Sequence, residues 1–289
     1  MGGIAAAIAA LVEPGDEVLL PDPAWPNYRL MLAWAHGVLV PYPCSPANKF
    51  LPDPAEVEKL ITPRTKLIIV NSPSNPTGAV FSRELLEQLV DIAVRHNLYL
   101  ISDECYDEVI LDGEHHSPAS FCTDGRVISA FTFSKTYAMT GWRVGYVVAN
   151  PEISDSITKI LESNSSCLPT ISQKAAEAAL DGPREPLQRM VDAYRERRDL
   201  CVGLLEEAGM LISRPQGAFY IMADVSGSGM DSRQFAFDLV KSKQVAVAPG
   251  TAFGKSASGA ARISLASSPE DLSNGIARMI ERIEELSGK

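Results

Sequence analysis

The chain lacks the features that mark several large functional classes. It has no block of Lys or Arg: 26 basic against 36 acidic residues leave a formal net charge of -10. That balance argues against a protein that tracks nucleic-acid phosphates or an anionic membrane surface. It has no long hydrophobic run either. The most apolar stretch, IAAAIAALV from Ile4 to Val12, is too short to span a bilayer and lacks the charged start of a secretory signal. Cysteine is sparse and scattered: Cys44, Cys105, Cys122, Cys167 and Cys201 contain no C-x-x-C pair, which fits free thiols in a reducing compartment and argues against structural zinc. His36, His96 and the neighbours His115 and His116 read as solvated side chains, so no metal is assigned. A cytoplasmic location is the expectation.

What the chain does contain is enough apolar residue for a large core, 46% of 289, and a length that suits two unequal domains. Turn signals divide the first half into alternating units. GGIAAAIAALV is helical, EVLLPDP a strand, NYRLMLAWAHG helical and VLVPYP a strand; PAEVEKL, KLIIV, a helix capped by Ser82, and LYLIS follow. RVISAFTF and VGYVVA read as two further buried strands. Continuous Val/Ile/Leu strands separated by helices predict an α/β fold with a mostly parallel central sheet covered on both faces, a three-layer α/β/α arrangement. PREPLQRMVDAYRERRDLCVGLLEEAG reads as one long helix with a solvated or interfacial Arg/Glu face. It leads into a smaller α+β unit: strands in GAFYIMADV, VAVAP and ARISLA, a helix from Ser232 to Lys243, and a terminal helix from Pro269 to Leu286. The expected division is 1–197 for the large domain and 198–289 for the small one.

Sheets of this kind bind ligands beyond the carboxyl ends of their strands. The segments there are PDPAWPNY, NSPSNPTGAVF, SDECYDEV, FTFSKTYAMTGWRVG and ARISLA. Lys135 is either a solvated side chain or, near Arg143 in a desolvated pocket, an amine activated as a nucleophile. Asp103 is a helix cap or the partner of a fixed cation. Asn75 belongs to a rigid Pro/Gly turn and is open to a second role on a ligand. Trp25 is a core residue or a stacking platform.

Taken in order, S-N-P-T-G at Ser74–Gly78, D-E-x-Y at Asp103–Tyr106 and S-K-x-x-x-x-x-G-x-R-x-G at Ser134–Gly145 are a specific trio. The set resembles the fold-type I, pyridoxal-phosphate-dependent aminotransferases of class I/II, the aspartate-aminotransferase-like superfamily. The resemblance runs from Met1 to the C-terminal helix and implies the pyridoxal-phosphate-dependent transferase fold, pyridoxal 5'-phosphate as cofactor, and a homodimer with its sites at the interface. It implies transfer of an amino group from an amino acid to a 2-oxo acid, with Lys135 forming a Schiff base and then shuttling the substrate's proton. Asp103 would pair with the pyridine nitrogen, Asn75 and Tyr106 with the ring hydroxyl, and Trp25 would stack on the ring. Thr132, Ser134 and Arg143 would form the phosphate cup, completed by backbone N–H groups of Gly2, Gly3 and Ile4 at a helix N-terminus. Arg262 would clamp the substrate α-carboxylate.

The chain also departs from that pattern. Met1 stands where the phosphate-binding helix of relatives begins, which implies that a preceding section with a lid and a tyrosine reaching the partner's phosphate is lacking, and that catalysis is impaired. A fragment and a natural short form are both open. Ile4, and the absence of Arg or Lys from SNSSCLPT, point to a neutral or apolar amino-acid donor rather than an acidic one. Two further readings stay open beside the aminotransferase: a C–S lyase using the same first contacts, and a truncated non-catalytic protein that binds the cofactor or serves a structural role.

Overall fold

A computed structural model describes residues 1–288. In chain order the elements are α1 (Gly2–Leu11), β1 (Glu17–Asp22), α2 (Asn27–Trp34), β2 (Val38–Pro43), α3 (Pro54–Lys59), β3 (Thr65–Asn71), α4 (Arg83–Arg95), β4 (Tyr99–Asp103), β5 (Val127–Thr132), α5 (Phe133–Thr136) and β6 (Gly145–Val148). Then come α6 (Pro151–Ser165), α7 (Thr170–Leu180), α8 (Glu185–Glu207), β7 (Tyr220–Asp224), α9 (Ser232–Lys243), β8 (Ala248–Pro249), β9 (Ala260–Ser264) and α10 (Pro269–Ser287). Among the described residues no helix is long and apolar enough to cross a membrane.

Six strands form one sheet in the order β2-β1-β3-β4-β5-β6, parallel except for β6. The alternation of side chains along a strand explains why the centre of β3, Leu67 to Val70, is continuously apolar. Leu67 and Ile69 pack on one face with Ile8, Tyr28, Ile101 and Ile153, while Ile68 and Val70 pack on the other with Leu86, Leu89 and Leu100. A second sheet, β7-β9-β8, is antiparallel and carries its own core with α8, α9 and α10. The mostly parallel α/β architecture with a small α+β unit is therefore as expected.

The two sheets are joined near the strand ends. Asp22, at the end of β1, accepts from Ser256 Oγ at 2.7 Å, and the Gly78 carbonyl accepts the N–H groups of Gln216 and Gly217, both at 2.9 Å. Gly78 has φ +69°, and a Cβ there would lie 2.3 Å from Pro215, so the turn after β3 is both left-handed and in close contact with the chain entering β7.

Two elements differ from the sequence reading. VGYVVA is a strand but not a buried one throughout: Tyr146 and Val148 are exposed, while Val147 turns in under α1 and only Val144 at its start is buried. The reason is topological. β6 is the antiparallel edge of the sheet, and apolar character does not reveal which strand comes last. The Arg/Glu face of α8 is not uniformly solvated either. Arg198 is 1% exposed, bonds Asp112 and Asp199 at 2.6 Å each, and donates to the Pro215 carbonyl at 2.9 Å. A charge buried in this way needs several partners, and it has them.

Candidate active site

The site begins where β3 and β4 end side by side, with Asn71 paired in register to Asp103. Asn71 donates Nδ2 to the Asp103 carbonyl at 2.9 Å and accepts the Asn75 N–H at 2.8 Å, which ties the Pro-rich turn to the end of β4. The Asp103 carboxylate is buried. It accepts the Tyr28 hydroxyl on one oxygen and the Cys105 N–H at 3.3 Å on the other. Burial raises its pKa and the Tyr28 bond opposes that rise. The carboxylate thus caps its own turn and also lies buried with only neutral donors around it.

Trp25 is half-buried and meets Tyr28 edge-on, ring centres 5.3 Å apart at 87°. The chain PAWPNY therefore delivers two aromatic side chains: Tyr28 bonds Asp103, and Trp25 stands against Tyr28. Tyr28 was not foreseen from sequence. It lies within the PDPAWPNY segment, but nothing local shows that α2 turns it toward β4.

Lys135 lies on the one-turn helix α5, which starts because Thr132 Oγ1 accepts the Ser134 N–H at 3.2 Å. It is half-buried, with Nζ 5.1 Å from the Phe219 ring centre and 5.8 Å from that of Tyr106. Its pKa is lowered, first by burial and further by Arg262 and Arg143, with Cys105 acting in the other direction. Lys135 is thus neither fully solvated nor fully buried. Ser134 beside it is half-buried.

Arg262 reaches in from β9 between two rings, Tyr220 at 4.2 Å and Phe253 at 4.8 Å. It donates Nη1 to Asn75 Oδ1 at 2.7 Å, and its Nε is buried with no partner. Burial lowers its pKa. Tyr106 is buried and shares a 3.1 Å hydrogen bond with the Tyr220 hydroxyl. Asn75 and Tyr106 are thus brought to one site, but the Asn75 carbonyl oxygen is engaged by Arg262 and the Tyr106 hydroxyl by Tyr220.

The remaining predicted residues gather around β5 and β6. Arg143 has φ +56° and is exposed, and its Nη1 donates to the Thr140 carbonyl at 2.7 Å. Gly3 passes close over β6; a Cβ on it would lie 2.4 Å from Val147 Cγ2. Gly145 passes equally close to β5, where a Cβ would lie 2.5 Å from the Phe131 carbonyl. Ile4 is buried in the core, so only its backbone N–H is free to face a ligand. Met1 makes no side-chain cap to α1, which leaves the first N–H groups of that helix open.

His115 departs from the solvated reading. Its Nε2 lies 2.8 Å from Oε2 of Glu104, which is fully buried and also accepts Ser117 Oγ at 3.0 Å. A carboxylate directed into the protein one residue after Asp103 requires such donors, and His115 is the one that the chain returns to it. Among the described residues no group of three or more His, Cys, Asp or Glu is placed to hold a metal ion.

Residues 2–279 match the family described as aminotransferase class I and II. The chain is 40% identical over 277 residues to an aspartate/prephenate aminotransferase of Thermus thermophilus, covering 93% of this chain and 70% of that protein. It is 38% identical to an aspartate aminotransferase of Pyrococcus horikoshii, covering 96% of this chain and 72% of that one. The crystal structure of an aromatic aminotransferase from Pyrococcus horikoshii superposes with a TM-score of 0.94 at 37% identity, over 98% of this chain and 78% of that chain. The family assignment and the fold agree from opposite ends of the argument: the chain belongs to the aminotransferases of class I and II.

Proposed function

We propose that this chain is a pyridoxal-phosphate-dependent aminotransferase that moves an amino group from an amino acid to a 2-oxo acid, with Lys135 as the reactive amine. The observation that carries the reading is the setting of Lys135: a half-buried amine 5.1 Å from the Phe219 ring centre and 5.8 Å from that of Tyr106, its pKa pressed down by burial and by Arg262 and Arg143. A lysine in that state has more neutral amine at working pH than a solvated one.

The chain's groups suit the cofactor. Asp103 is buried with only neutral donors on its oxygens, and so suits a protonated ring nitrogen better than solvent. Tyr28 orients that carboxylate, and Trp25, edge-on to Tyr28, offers a flat face. The open N–H groups of α1 at Gly2, Gly3 and Ile4, with Thr132, Ser134 and Arg143, suit a phosphate. Bound there, pyridoxal phosphate supplies an electron sink for negative charge developing at the substrate Cα.

Lys135 would have two tasks and the other residues one each. Its Nζ would hold the cofactor and, once free, would take the proton from the substrate Cα. Asp103 would hold a proton on the ring nitrogen. Asn75, through its Nδ2, and Tyr106 would hold the ring hydroxyl. Arg262 binds the substrate α-carboxylate; its unpartnered Nε and its aromatic walls leave a planar fork ready for two parallel hydrogen bonds. We take 1–197 as the unit that binds the cofactor and 198–289 as the unit that brings Arg262.

The donor class follows from what Ile4 cannot do. Its side chain is in the core, so that position offers no cation for a distal carboxylate. We therefore expect a neutral or apolar amino acid to be the better donor. The test is amino-group exchange by the purified, cofactor-loaded protein over a panel of amino acids with a 2-oxo acid acceptor. Transfer from neutral donors is expected. Pyruvate and ammonia released without transfer would identify a C–S lyase instead, and cofactor uptake without turnover would identify a non-catalytic binder. Within the same assay Arg262→Lys is expected to raise KM for the amino acid roughly 10- to 100-fold, the range for a charge-assisted hydrogen bond of about 1.5–3 kcal/mol. An unchanged KM would remove Arg262 from substrate binding.

The active form is taken as a homodimer. Trp142, Tyr146 and Val148, exposed on or beside the β6 edge, support an apolar contact there. Sedimentation equilibrium checks this, and a monomer at assay concentrations that still turns over would count against it.

A further inference from the structure

Phe219 and Tyr220 point the same way, which neighbours on a strand do not normally do. Consecutive side chains of a regular strand face opposite sides, yet these two ring centres are 4.7 Å apart. The cause lies one residue earlier. Ala218 is 0% exposed and has φ +56°, a left-handed conformation that residues with a Cβ avoid. It is held there from both sides: its N–H donates to the Val109 carbonyl at 2.9 Å, and Gly217 before it donates to the Gly78 carbonyl at 2.9 Å. Gly217 cannot move aside, since even a Cβ at that position would lie 2.8 Å from Pro73. β7 begins only at Tyr220, after this turn.

The turn delivers two rings to two cations. Tyr220 faces the Arg262 guanidinium at 4.2 Å and Phe219 faces Lys135 Nζ at 5.1 Å. Phe219 is itself fixed, stacked on Tyr194 with centres 5.1 Å apart and edge-on to Tyr106 at 5.5 Å. Its ring is therefore a rigid wall rather than a mobile contact.

We propose that Phe219 is a positioning residue: its ring, turned into the site by the left-handed backbone at Ala218, fixes the direction of the Lys135 amine and favours its protonated form. The inference rests on reading Lys135 as the reactive amine. The ring's π face attracts an ammonium and so opposes burial and the charges of Arg262 and Arg143, which favour the neutral amine. Cys105 acts on the same side as Phe219, and Tyr106, at 5.8 Å, adds a second ring. Phe219 thus sets a balance between a lysine that is neutral enough to react and one that is held in place until it does.

The test titrates Lys135 in the cofactor-free protein by competitive acetic-anhydride labelling across pH, read on the Lys135 peptide by mass spectrometry. Phe219→Leu, which removes the π face but keeps an apolar side chain, is expected to lower the Lys135 midpoint by roughly half a pH unit, the equivalent of a weak cation–π contact. Phe219→Tyr is expected to restore the wild-type midpoint. Phe219→Met gives the same reading as leucine if the leucine variant does not fold. An unchanged midpoint in the leucine or methionine variant, or a tyrosine variant that shifts as far as they do, overturns the proposal. Labelling needs neither cofactor nor turnover, so the two readings fail separately. A shift without transamination would fault the proposed function, and transamination without a shift would remove Phe219.

Discussion

Replacing Lys135 with alanine is expected to leave a folded protein whose amino-group transfer is at least about 10 000-fold slower, at the upper end of what a proton-transferring group contributes. The fold should tolerate the change. Lys135 is half-buried and its pKa is lowered by burial, so the charged form is disfavoured in the folded state and its removal takes away no stabilising ion pair. Two readouts separate chemistry from binding. The visible absorption change on mixing wild-type protein with pyridoxal phosphate should disappear in Lys135→Ala, while phosphate contacts from α1, Ser134 and Arg143 still permit weaker, reversible uptake. Lys135→Arg is the stricter variant. It keeps a cation near Phe219 but supplies no neutral amine at any working pH, so it should be as inactive as alanine. Transfer by either variant within tenfold of wild type would mean that another group carries the reaction.

The same lysine shows how far the sequence could be read. The motif around it, the S-N-P-T-G turn after β3 and the D-E-x-Y segment that starts at the end of β4 are far apart in the chain, and each is uninformative by itself. Their order made the family legible, because continuous apolar strands say where the parallel sheet opens and these three segments fall there, whereas Arg262 lies within β9 of the second sheet. Illegible were features that depend on what a neighbouring element does. Tyr28 was missed since a helix start in PNYRL does not state which strand the first turn faces. Phe219 was missed for a sharper reason: its orientation depends on a positive φ at Ala218, and alanine gives no local signal for one. The turn is imposed by Val109, Gly78 and Pro73, which lie more than a hundred residues away in sequence.

Burial of charge was the other blind spot. Arg198 on α8, whose Arg/Glu face reads as solvated or interfacial, and Glu104 after β4 are both nearly inaccessible. In each case the partners arrive from another segment, Asp112 to Arg198 and His115 to Glu104. Exposed β6 is the converse error, an apolar strand at the sheet's edge. Composition fixes how much apolar surface needs covering, and topology decides which strand is left uncovered.

Asp103→Asn is the second large effect we expect, and it has two opposite parts. Activity should fall roughly 100- to 1000-fold, the usual loss when one preorganised electrostatic contact to the reacting system is removed. Stability of the cofactor-free protein should rise. The sign follows from the raised pKa of Asp103 in the folded state. Between the unfolded value, near 3.9, and the higher folded one, the native state holds a proton that the unfolded state has released, so stability declines as pH rises through that interval and stays lower above it. An amide at this position avoids the charge, keeps its one oxygen for the Cys105 N–H while its Nδ2 donates to the Tyr28 hydroxyl oxygen, and should add about 1 kcal/mol at neutral pH. Urea unfolding at pH 7 and again below pH 4 checks this: the variant's advantage should be present at the first and vanish at the second, where both carboxyl states are protonated. Adding pyridoxal phosphate should reverse the ranking, because the wild-type carboxylate then gains a cationic partner that the amide cannot match. A variant that is less stable than wild type at pH 7 without cofactor would show that the buried carboxylate serves the fold and not the site.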